Sequence, residues 1–323
     1  MIRFFYETVR KLKKNNKSYW RLVYKINKVL VNLIFPVNQR WKQDYGLDAR
    51  SRIIVSLTTY PARISTVWIT AASLLQQTMR PYKLILWLAE EQFPGHEIPD
   101  NLERLKKRGL EIRFCEDLKP HKKYYYVMQE YPDYYVITAD DDILYPEDHI
   151  EQLWKGHEKY PNNIICHWSH RVEFDGQGKF IPYDNWPDNG EEAPSFATLA
   201  VGCNGILYPP GSLPEQTFDK NKIVEISLNT DDLWLKCMEI LNGWKTVNCN
   251  KPVLIYFNIL STGKSGLWKS NTGESRNNDI IWDKLMKLYP EVRNRLTEER
   301  QYACDYDRDN QPCTSNESSG ITR

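Results

Sequence analysis

The sequence predicts an α/β protein with a mainly parallel central sheet flanked by helices. Apolar runs of strand length, rich in branched and aromatic side chains, lie at 52–57, 83–89, 110–115 and 134–139. Segments with helical character lie between them, at 66–77, 101–109 and 122–131. This alternation is typical of βα units, in which right-handed crossovers place successive strands parallel to one another.

The second half of the chain continues the pattern with longer interruptions. Helices are expected at 147–160, 230–243 and 279–297, and strands at 163–168, 196–210, 245–249 and 252–257. Pro146 is expected at the first helical position, where its missing N–H is harmless, and Thr230 is a candidate helix N-cap. Residues 171–195 and 261–273 have the composition of loops, and the tail 301–323 is almost free of apolar residues, so we expect it to be disordered.

The charge is divided unevenly along the chain. Residues 1–43 contain eleven Lys and Arg and a single acid, Glu7, so they carry about +10. The whole chain carries only +1, so the remaining 280 residues sum to about −9. Because the basic charge is confined to one end, we do not expect a nucleic-acid partner. Residues 1–46 are predicted to form a separate basic arm.

The arm has the pattern of an amphipathic helix. Trp20, Val23, Ile26, Leu30 and Leu33 recur at helical spacing, with basic residues between them. Its apolar stretch is too short to cross a bilayer, which needs about 20 residues, and no cleavage site of a secretory signal follows it. A helix lying on an anionic membrane surface fits the pattern. The alternative is a helix that packs on the domain and exposes a basic face.

Seven cysteines are scattered singly, and no CxxC pair occurs. This arrangement favours reduced thiols over a disulfide framework or a zinc module. We therefore expect a cytoplasmic protein, bound peripherally at the inner face of the cell membrane through its arm.

The segment "TADDDILYP", residues 138–146, places three carboxylates directly after a predicted strand. Two carboxylates about 6 Å apart repel each other by roughly 2–3 kcal/mol at an effective dielectric constant near 20. In parallel sheets, ligands bind at the carboxyl ends of the strands. A divalent cation, Mg²⁺ or Mn²⁺, held with a substrate diphosphate would offset the repulsion, because such ions use one or two carboxylates plus phosphate oxygens. Helix capping is the alternative explanation of these acids.

These motifs together resemble GT-A-fold, family-2-like glycosyltransferases of bacterial capsule and lipopolysaccharide synthesis. The resemblance covers about residues 50–290 and follows the order "VSLTTYP", "LWLAEEQFP", the aspartate cluster, "GILYPP", and an acidic pair that opens a helix. It implies a Rossmann-like GT-A catalytic domain at 47–300, with a nucleotide-binding half at 50–145 and an acceptor half at 146–300. It also implies transfer of a sugar from a nucleotide sugar to a hydroxyl of a glycan or lipid-linked glycan.

The resemblance assigns roles to residues of the nucleotide-binding half. Asp142 matches the carboxylate of the DxD motif that binds the metal ion. Asp140, together with Asp141, either lies nearer the ribose or shares the ion. Further candidates for the nucleotide pocket are Thr58, Tyr60, Arg63 and Lys122, with Lys123 beside it. For the arginine and the lysines, a solvated surface position is the alternative.

In the acceptor half, "TDDLWLK" supplies Asp231 and Asp232 at a predicted helix start. Inverting transfer needs a carboxylate that takes the acceptor proton. Asp232 matches the family's base and Asp231 replaces its usual Glu, which leaves open which of the two acts. Gly202, Asn204 and Trp268 are candidates for contact with the sugar or acceptor.

Two alternative functions compete with glycosyl transfer. A sugar nucleotidyltransferase also uses carboxylates and Mg²⁺, but it would usually carry a glycine-rich loop after the first strand, and "TTYPARIS" contains no glycine. A non-catalytic glycan-binding protein would have no need of both acidic groups. "STGKSG" lacks the first glycine of a nucleotide-binding P-loop.

Overall fold

The computed structural model describes residues 1–39, 46–188, 192–250, 254–262 and 276–309. The helices are α1 (Ile2–Lys14), α2 (Trp20–Asn38), α3 (Val67–Leu74), α4 (Asp100–Lys106), α5 (Lys122–Glu130), α6 (His149–Lys159), α7 (Asp231–Leu241), α8 (Asn277–Leu288) and α9 (Pro290–Asp309). The strands are β1 (Ile53–Thr58), β2 (Lys83–Ala89), β3 (Leu110–Cys115), β4 (Tyr135–Ala139), β5 (Ile143–Leu144), β6 (Asn163–Cys166), β7 (Ser169–Arg171), β8 (Thr198–Ala200), β9 (Ile206–Tyr208), β10 (Lys245–Asn248) and β11 (Phe257–Asn258).

Seven strands form the central sheet in the order β10-β6-β9-β4-β1-β2-β3. β9 runs antiparallel to its neighbours β4 and β6, and the other pairings in this sheet are parallel. Helices α3 and α5 pack on opposite faces of β1. The predicted α/β class with a mainly parallel sheet is therefore confirmed.

Alternate residues of β1 enter different layers of the core. Val55 and Leu57 pack in the layer that contains Leu74 of α3, whereas Ile54 packs in the layer that contains Val127 of α5. A strand that is buried on both faces reads as a continuous apolar run, which is why the sequence located it. Because β1 and β4 are paired neighbours, the segments that follow them lie at the same edge of the sheet.

Both arm helices pack on the domain. Ile2, Tyr6, Val9, Val31 and Phe35 are buried in the same core as β1. The predicted apolar face is wrong in part, since Trp20 and Val23 are partly buried against this core, whereas Ile26, Leu30 and Leu33 are exposed. One side of α2 packs on the domain, as the alternative prediction stated. The exposed side of α2 is not only basic, as that prediction expected, but also apolar. Among the described helices, none has the length and apolar character to cross a membrane.

Polar contacts join the arm to the segment before and within β11. The Tyr6 hydroxyl donates to the Leu254 carbonyl at 2.8 Å, and the Tyr24 hydroxyl donates to the Tyr256 carbonyl at 3.1 Å. The Asn32 amide donates to the Asn258 carbonyl at 3.1 Å. β11 pairs with β5, which directly follows the aspartate cluster, so the arm supports the loop that carries those acids.

The prediction that Pro146 opens its helix is wrong, because α6 begins at His149 with Asp148 as its N-cap residue. Glu147 instead caps the N-terminus of α1. Its carboxylate accepts hydrogen bonds from the backbone N–H groups of Ile2 at 3.1 Å and Arg3 at 2.8 Å, and from the N-terminal amine. It therefore satisfies the first donors of α1, which have no partner within that helix.

Three other predicted elements differ from the structure. In the predicted strand 252–257, Leu254–Tyr256 have no strand structure, and 251–253 lie outside the described residues. The predicted helix 279–297 is two helices, α8 and α9, which meet at Pro290. The predicted disordered tail begins too early, since α9 extends to Asp309, and 310–323 lie outside the described residues.

Replacing Glu147 with Gln should lower the free energy of unfolding at neutral pH by about 1–2 kcal/mol, because α1 loses a charged cap. Burial alone would raise the pKa of Glu147, but bonds from the N-terminal amine and Arg3 outweigh burial and lower it. The cap should therefore contribute above the unfolded-state pKa of about 4.3, and its contribution should be lost as pH falls through the lower folded-state value.

Urea unfolding from pH 7 to pH 3 measures this difference. It should be largest at neutral pH and shrink in acid. The exposed Glu91, changed to Gln, is the control and should shift stability by no more than about 0.5 kcal/mol. Equal stability of the Glu147→Gln variant and the parent at pH 7 would contradict the capping role.

Candidate active site

A cleft of about 870 Å³ lies at the carboxyl ends of β1 and β4. This volume is within the usual range for small-molecule sites. Its walls are the loop after β1, the segment 117–123, the loop after β4, the start of α7 and the segment 255–262. Lys28 of α2 also lines it, so the arm contributes to the cleft.

The loop after β4 brings Asp140, Asp141 and Asp142 into this cleft. The backbone of this loop is hydrogen-bonded to Tyr145, whose ring is fully buried. The backbone N–H of Asp140 donates to the Tyr145 hydroxyl at 2.9 Å, and that hydroxyl donates to the Cys203 carbonyl at 3.1 Å. The tyrosine thus fixes the aspartate loop to the loop between β8 and β9.

The carboxylate of Asp141 is paired with groups of the protein itself. Its carboxylate accepts hydrogen bonds from the Thr59 hydroxyl and from the Arg63 guanidinium, each at 2.5 Å, and the side chain is 5% exposed. Thr59 and Arg63 come from the "TTYPAR" segment after β1. These contacts make Asp141 the anchor between the two loops. Asp141 also lines the cleft, and its contact with a nucleotide stays a prediction.

Asp142 lies beside the same guanidinium but keeps a different environment. Its oxygen is 3.2 Å from an Arg63 nitrogen. Burial, together with the charges of Asp140 and Asp141, raises the pKa of Asp142 to about 6 against the opposing effect of Arg63. The negative form of Asp142 is thus only partly compensated by the protein, and additional positive charge would stabilise it.

Lys123 joins the two acidic groups that the sequence singled out. Its ammonium is 2.9 Å from Asp140 after β4 and 2.9 Å from Asp231 at the start of α7. Burial would lower the pKa of Lys123, but Asp140, Asp231 and Asp232 outweigh burial and raise it well above its usual value. The buried lysine is therefore charged. Together, Lys123 and Arg63 offset much of the repulsion that the sequence analysis assigned to a metal ion alone.

The two aspartates of α7 differ in their environment. Burial alone would raise the pKa of Asp231, but Lys123 outweighs burial and lowers it. Burial, and next the charge of Asp231, raise the pKa of Asp232 well above its usual value. One oxygen of Asp232 accepts from the backbone N–H of Gly202 at 3.4 Å, and the other has no hydrogen-bond partner among the described residues. Asp232 is thus the better proton acceptor of the two.

Gly202 lies where these charged groups meet. A Cβ atom at this position would be 2.9 Å from the Lys123 nitrogen, 3.3 Å from an Asp232 oxygen and 3.5 Å from an Asp140 oxygen. A side chain would therefore collide with the lysine. This junction explains why the position carries glycine, and the contact of Gly202 with a sugar or acceptor stays a prediction.

The remaining predicted residues divide into three groups. Thr58 and Tyr60 line the cleft, and the Arg63 guanidinium lies over the Tyr60 ring at 5.6 Å. Lys122 also lines the cleft, but its ammonium is ion-paired with Asp117. Trp268 lies outside the described residues.

The expected contact of Asn204 with the sugar or acceptor is not supported. The side chain is fully buried and does not line the cleft. Its amide nitrogen donates to the Leu254 carbonyl at 2.9 Å, and its oxygen accepts from the Tyr256 N–H at 3.0 Å. Asn204 therefore ties the β8–β9 loop to the segment that supports the arm.

Asp140 and Asp142 fit a divalent cation that also binds a diphosphate. Within the described residues, no three His, Cys, Asp or Glu side chains converge as a metal site built from protein alone would require. A Mg²⁺ or Mn²⁺ ion bound with phosphates needs only one or two carboxylates. The raised pKa of Asp142 indicates that the cleft can accept positive charge at that side chain.

Several residues of the cleft were not predicted from the sequence. Thr59 precedes Tyr60 in the same segment, but nothing in a single sequence distinguishes it from Thr58. Asp117 and Lys28 lie far from the motifs, and Lys28 belongs to the arm. Burial lowers the pKa of Lys28, while Asp142 opposes that effect, so the arm places a cation near the aspartate loop.

No protein-family model matches the chain. No curated protein matches its sequence. Among solved structures, the chain is similar to residues 1–349 of S. aureus TarS, crystallised in complex with UDP. The sequences are 11% identical, the similarity covers 73% of this chain and 71% of that chain, and the TM-score is 0.40. Similarity at this level does not assign the chain to a family.

Proposed function

We propose that the protein is an inverting, metal-dependent glycosyltransferase that moves a sugar from a nucleotide-sugar donor to a hydroxyl of a glycan acceptor in surface polysaccharide synthesis. The observation that carries the proposal is the meeting of two acidic groups in one cleft. Asp140 and Asp142 come from the loop after β4, Asp231 and Asp232 come from α7, and Lys123 connects the groups. The motif resemblance supplies the reaction class.

The donor diphosphate is proposed to lie against the aspartate loop. Asp140 and Asp142 would hold a divalent cation there, which would neutralise the negative charge that develops on the leaving diphosphate. Thr58 and Tyr60 would wall the nucleotide, and Arg63 would keep Asp142 in place. Lys122 is already paired with Asp117, which makes it a wall residue rather than a free phosphate ligand.

Asp232 is proposed as the general base. As the acceptor oxygen attacks the anomeric carbon, the bond from that carbon to the diphosphate oxygen breaks, and the hydroxyl proton moves to the unpartnered oxygen of Asp232. A carboxylate with a raised pKa is a stronger base than an ordinary aspartate, and burial raises the pKa of Asp232. Asp231, held ionised by Lys123, would position the lysine and add negative charge beside the base.

The direct test is turnover of a panel of nucleotide sugars by the full chain, with and without EDTA. Transfer to a glycan, or slow donor hydrolysis that EDTA abolishes and Mn²⁺ restores, supports the proposal. Release of pyrophosphate from a nucleoside triphosphate and a sugar phosphate would identify a nucleotidyltransferase instead. Binding of glycans without turnover of any donor would favour the non-catalytic alternative.

Asp142→Asn should weaken binding of a nucleoside diphosphate in the presence of Mn²⁺ by at least about tenfold, because the ion loses a charged ligand. Isothermal titration with UDP, GDP and CDP measures the change. Asp133→Asn is the matched control, since Asp133 is exposed at the opposite end of β4. Affinity equal to that of the parent protein with Mn²⁺ would remove Asp142 from the metal site.

Asp232→Asn should bind the donor within about twofold of the parent but transfer sugar about 10²–10⁴-fold more slowly, because only the proton acceptor is lost. Asp231→Asn is the comparison and should retain more transfer activity. Single-turnover kinetics separate binding from chemistry. If Asp231→Asn loses transfer while Asp232→Asn retains it, the base is Asp231.

Lys123→Met should lower the free energy of unfolding by about 3–5 kcal/mol, because Asp231 is left as a buried charge without its partner. Lys119→Met is the control on the same wall. Its ammonium is paired with Asp117 but is far more exposed, so the cost should stay within about 1 kcal/mol. Urea unfolding measures both variants, and equal costs would mean that Lys123 is not the bridge between the acidic groups.

A further inference from the structure

The outward side of α2 carries a continuous apolar surface. We call it the outer face, and it consists of Leu22, Ile26, Val29, Leu30, Leu33 and Val37, all exposed. Positions 22, 26, 29, 33 and 37 are three or four residues apart, so they align along one side of the helix. Leu33 is 63% exposed and Leu22 is 60% exposed. Single exposed apolar residues are common on proteins, but a contiguous apolar surface marks an interaction site.

The opposite side of α2 is already in use. Asn27, Val31 and Phe35 are buried against the domain. A helix that is apolar on both sides is normally covered on both sides. The domain covers one side of α2, and no described residue covers the outer face to the extent seen at Val31, which is 0% exposed.

The charges around the outer face select its partner. Arg21 and Lys25 are exposed on α2, and the Arg21 guanidinium and the Lys13 ammonium lie over the Trp20 ring at 5.4 Å and 5.0 Å. Residues 1–39 contain nine Lys and Arg and one acid, Glu7, which is paired with Arg10 at 3.0 Å. A second copy of the chain docked through the same face would bring like charges together. Anionic lipid headgroups are complementary to this surface, and their acyl chains suit its apolar side chains.

The outer face ends at the mouth of the cleft. Lys28 and Asn32, one turn apart on α2, lie on the side toward the cleft, and Lys28 lines it. Asn32 accepts from the Leu260 N–H at 3.0 Å, and Leu260 both lines the cleft and is 50% exposed. The apolar surface is therefore adjacent to the opening through which a substrate would enter.

We propose that the outer face of α2 docks on an anionic lipid bilayer and holds the mouth of the cleft at the level of the headgroups. In this arrangement, the apolar side chains enter the boundary between headgroups and acyl chains, and Arg21 and Lys25 contact lipid phosphates. The docking does not depend on the reaction in the cleft, so it can be tested separately from glycosyl transfer.

The test is sedimentation of the full chain with vesicles of phosphatidylcholine that contain about one third phosphatidylglycerol, and with vesicles of phosphatidylcholine alone. Strong binding to the anionic vesicles that weakens with salt supports the proposal. Leu22→Gln combined with Leu33→Gln should reduce the partition coefficient at least about tenfold. Val224→Gln combined with Ile280→Gln is the matched control, since both residues are 49% exposed but lie outside the arm. It should bind like the parent.

A charge variant tests the proposed contact of Arg21 and Lys25 with lipid phosphates. Arg21→Gln combined with Lys25→Gln should bind anionic vesicles about tenfold more weakly and should change little with neutral vesicles. This variant also decides the matter if the leucine variant fails to fold in thermal denaturation. Absence of binding by the parent chain, or binding of both variants at the parent level, would overturn the proposal. So would a dimer in light scattering that the leucine variant dissociates, because the outer face would then be covered by a second copy.

Discussion

The buried ammonium of Lys123 is the contact on which the candidate site depends. It lies 2.9 Å from an oxygen of Asp140 and 2.9 Å from an oxygen of Asp231, and these aspartates belong to different halves of the chain. Without a cation between them, the aspartate loop and the start of α7 would repel each other in a region of low dielectric constant. Gly202 completes the junction, because its missing side chain leaves the space that the lysine occupies. Lys123 therefore connects the two sides of the cleft, and Gly202 leaves room for its ammonium.

Much of the fold could be predicted because burial on both faces leaves a direct mark on the sequence. β2 and β3 begin and end where the apolar runs do. The charge pairing could not be predicted in the same way. Arg63 and Asp141 are separated by 78 positions, and only the pairing of β1 with β4 brings them together. The same holds for Glu147, which lies at the start of the predicted helix 147–160 but caps α1, which is distant in sequence.

The sequence predicted which residues lie at the candidate site better than it predicted what each residue does there. The aspartates of both groups do line one cleft, as expected from their position after a strand and before a helix. A pattern of like charges shows that compensation is needed but does not show its source, and here Arg63 and Lys123 supply much of it. Asn204 was expected to contact the sugar or acceptor, but its amide instead bonds the backbone of His167, Leu254 and Tyr256. A polar residue type alone does not distinguish a ligand contact from a structural one.

Hydrogen bonds connect the arm to the candidate site. Asn32 of α2 bonds the backbone at Asn258 and Leu260, and the N–H between them, that of Ile259, donates to the Asp142 carbonyl at 2.7 Å. One helix therefore supports the aspartate loop on its inner side and presents apolar surface on its outer side. Removal of the arm would expose core residues of the domain such as Phe257, whose ring packs against Tyr6 and Tyr24 of the arm, and would withdraw support from Asp142. A truncated chain would therefore confound membrane release with loss of the fold. Substitutions confined to exposed residues of α2 separate these effects, because they leave the inner contacts intact.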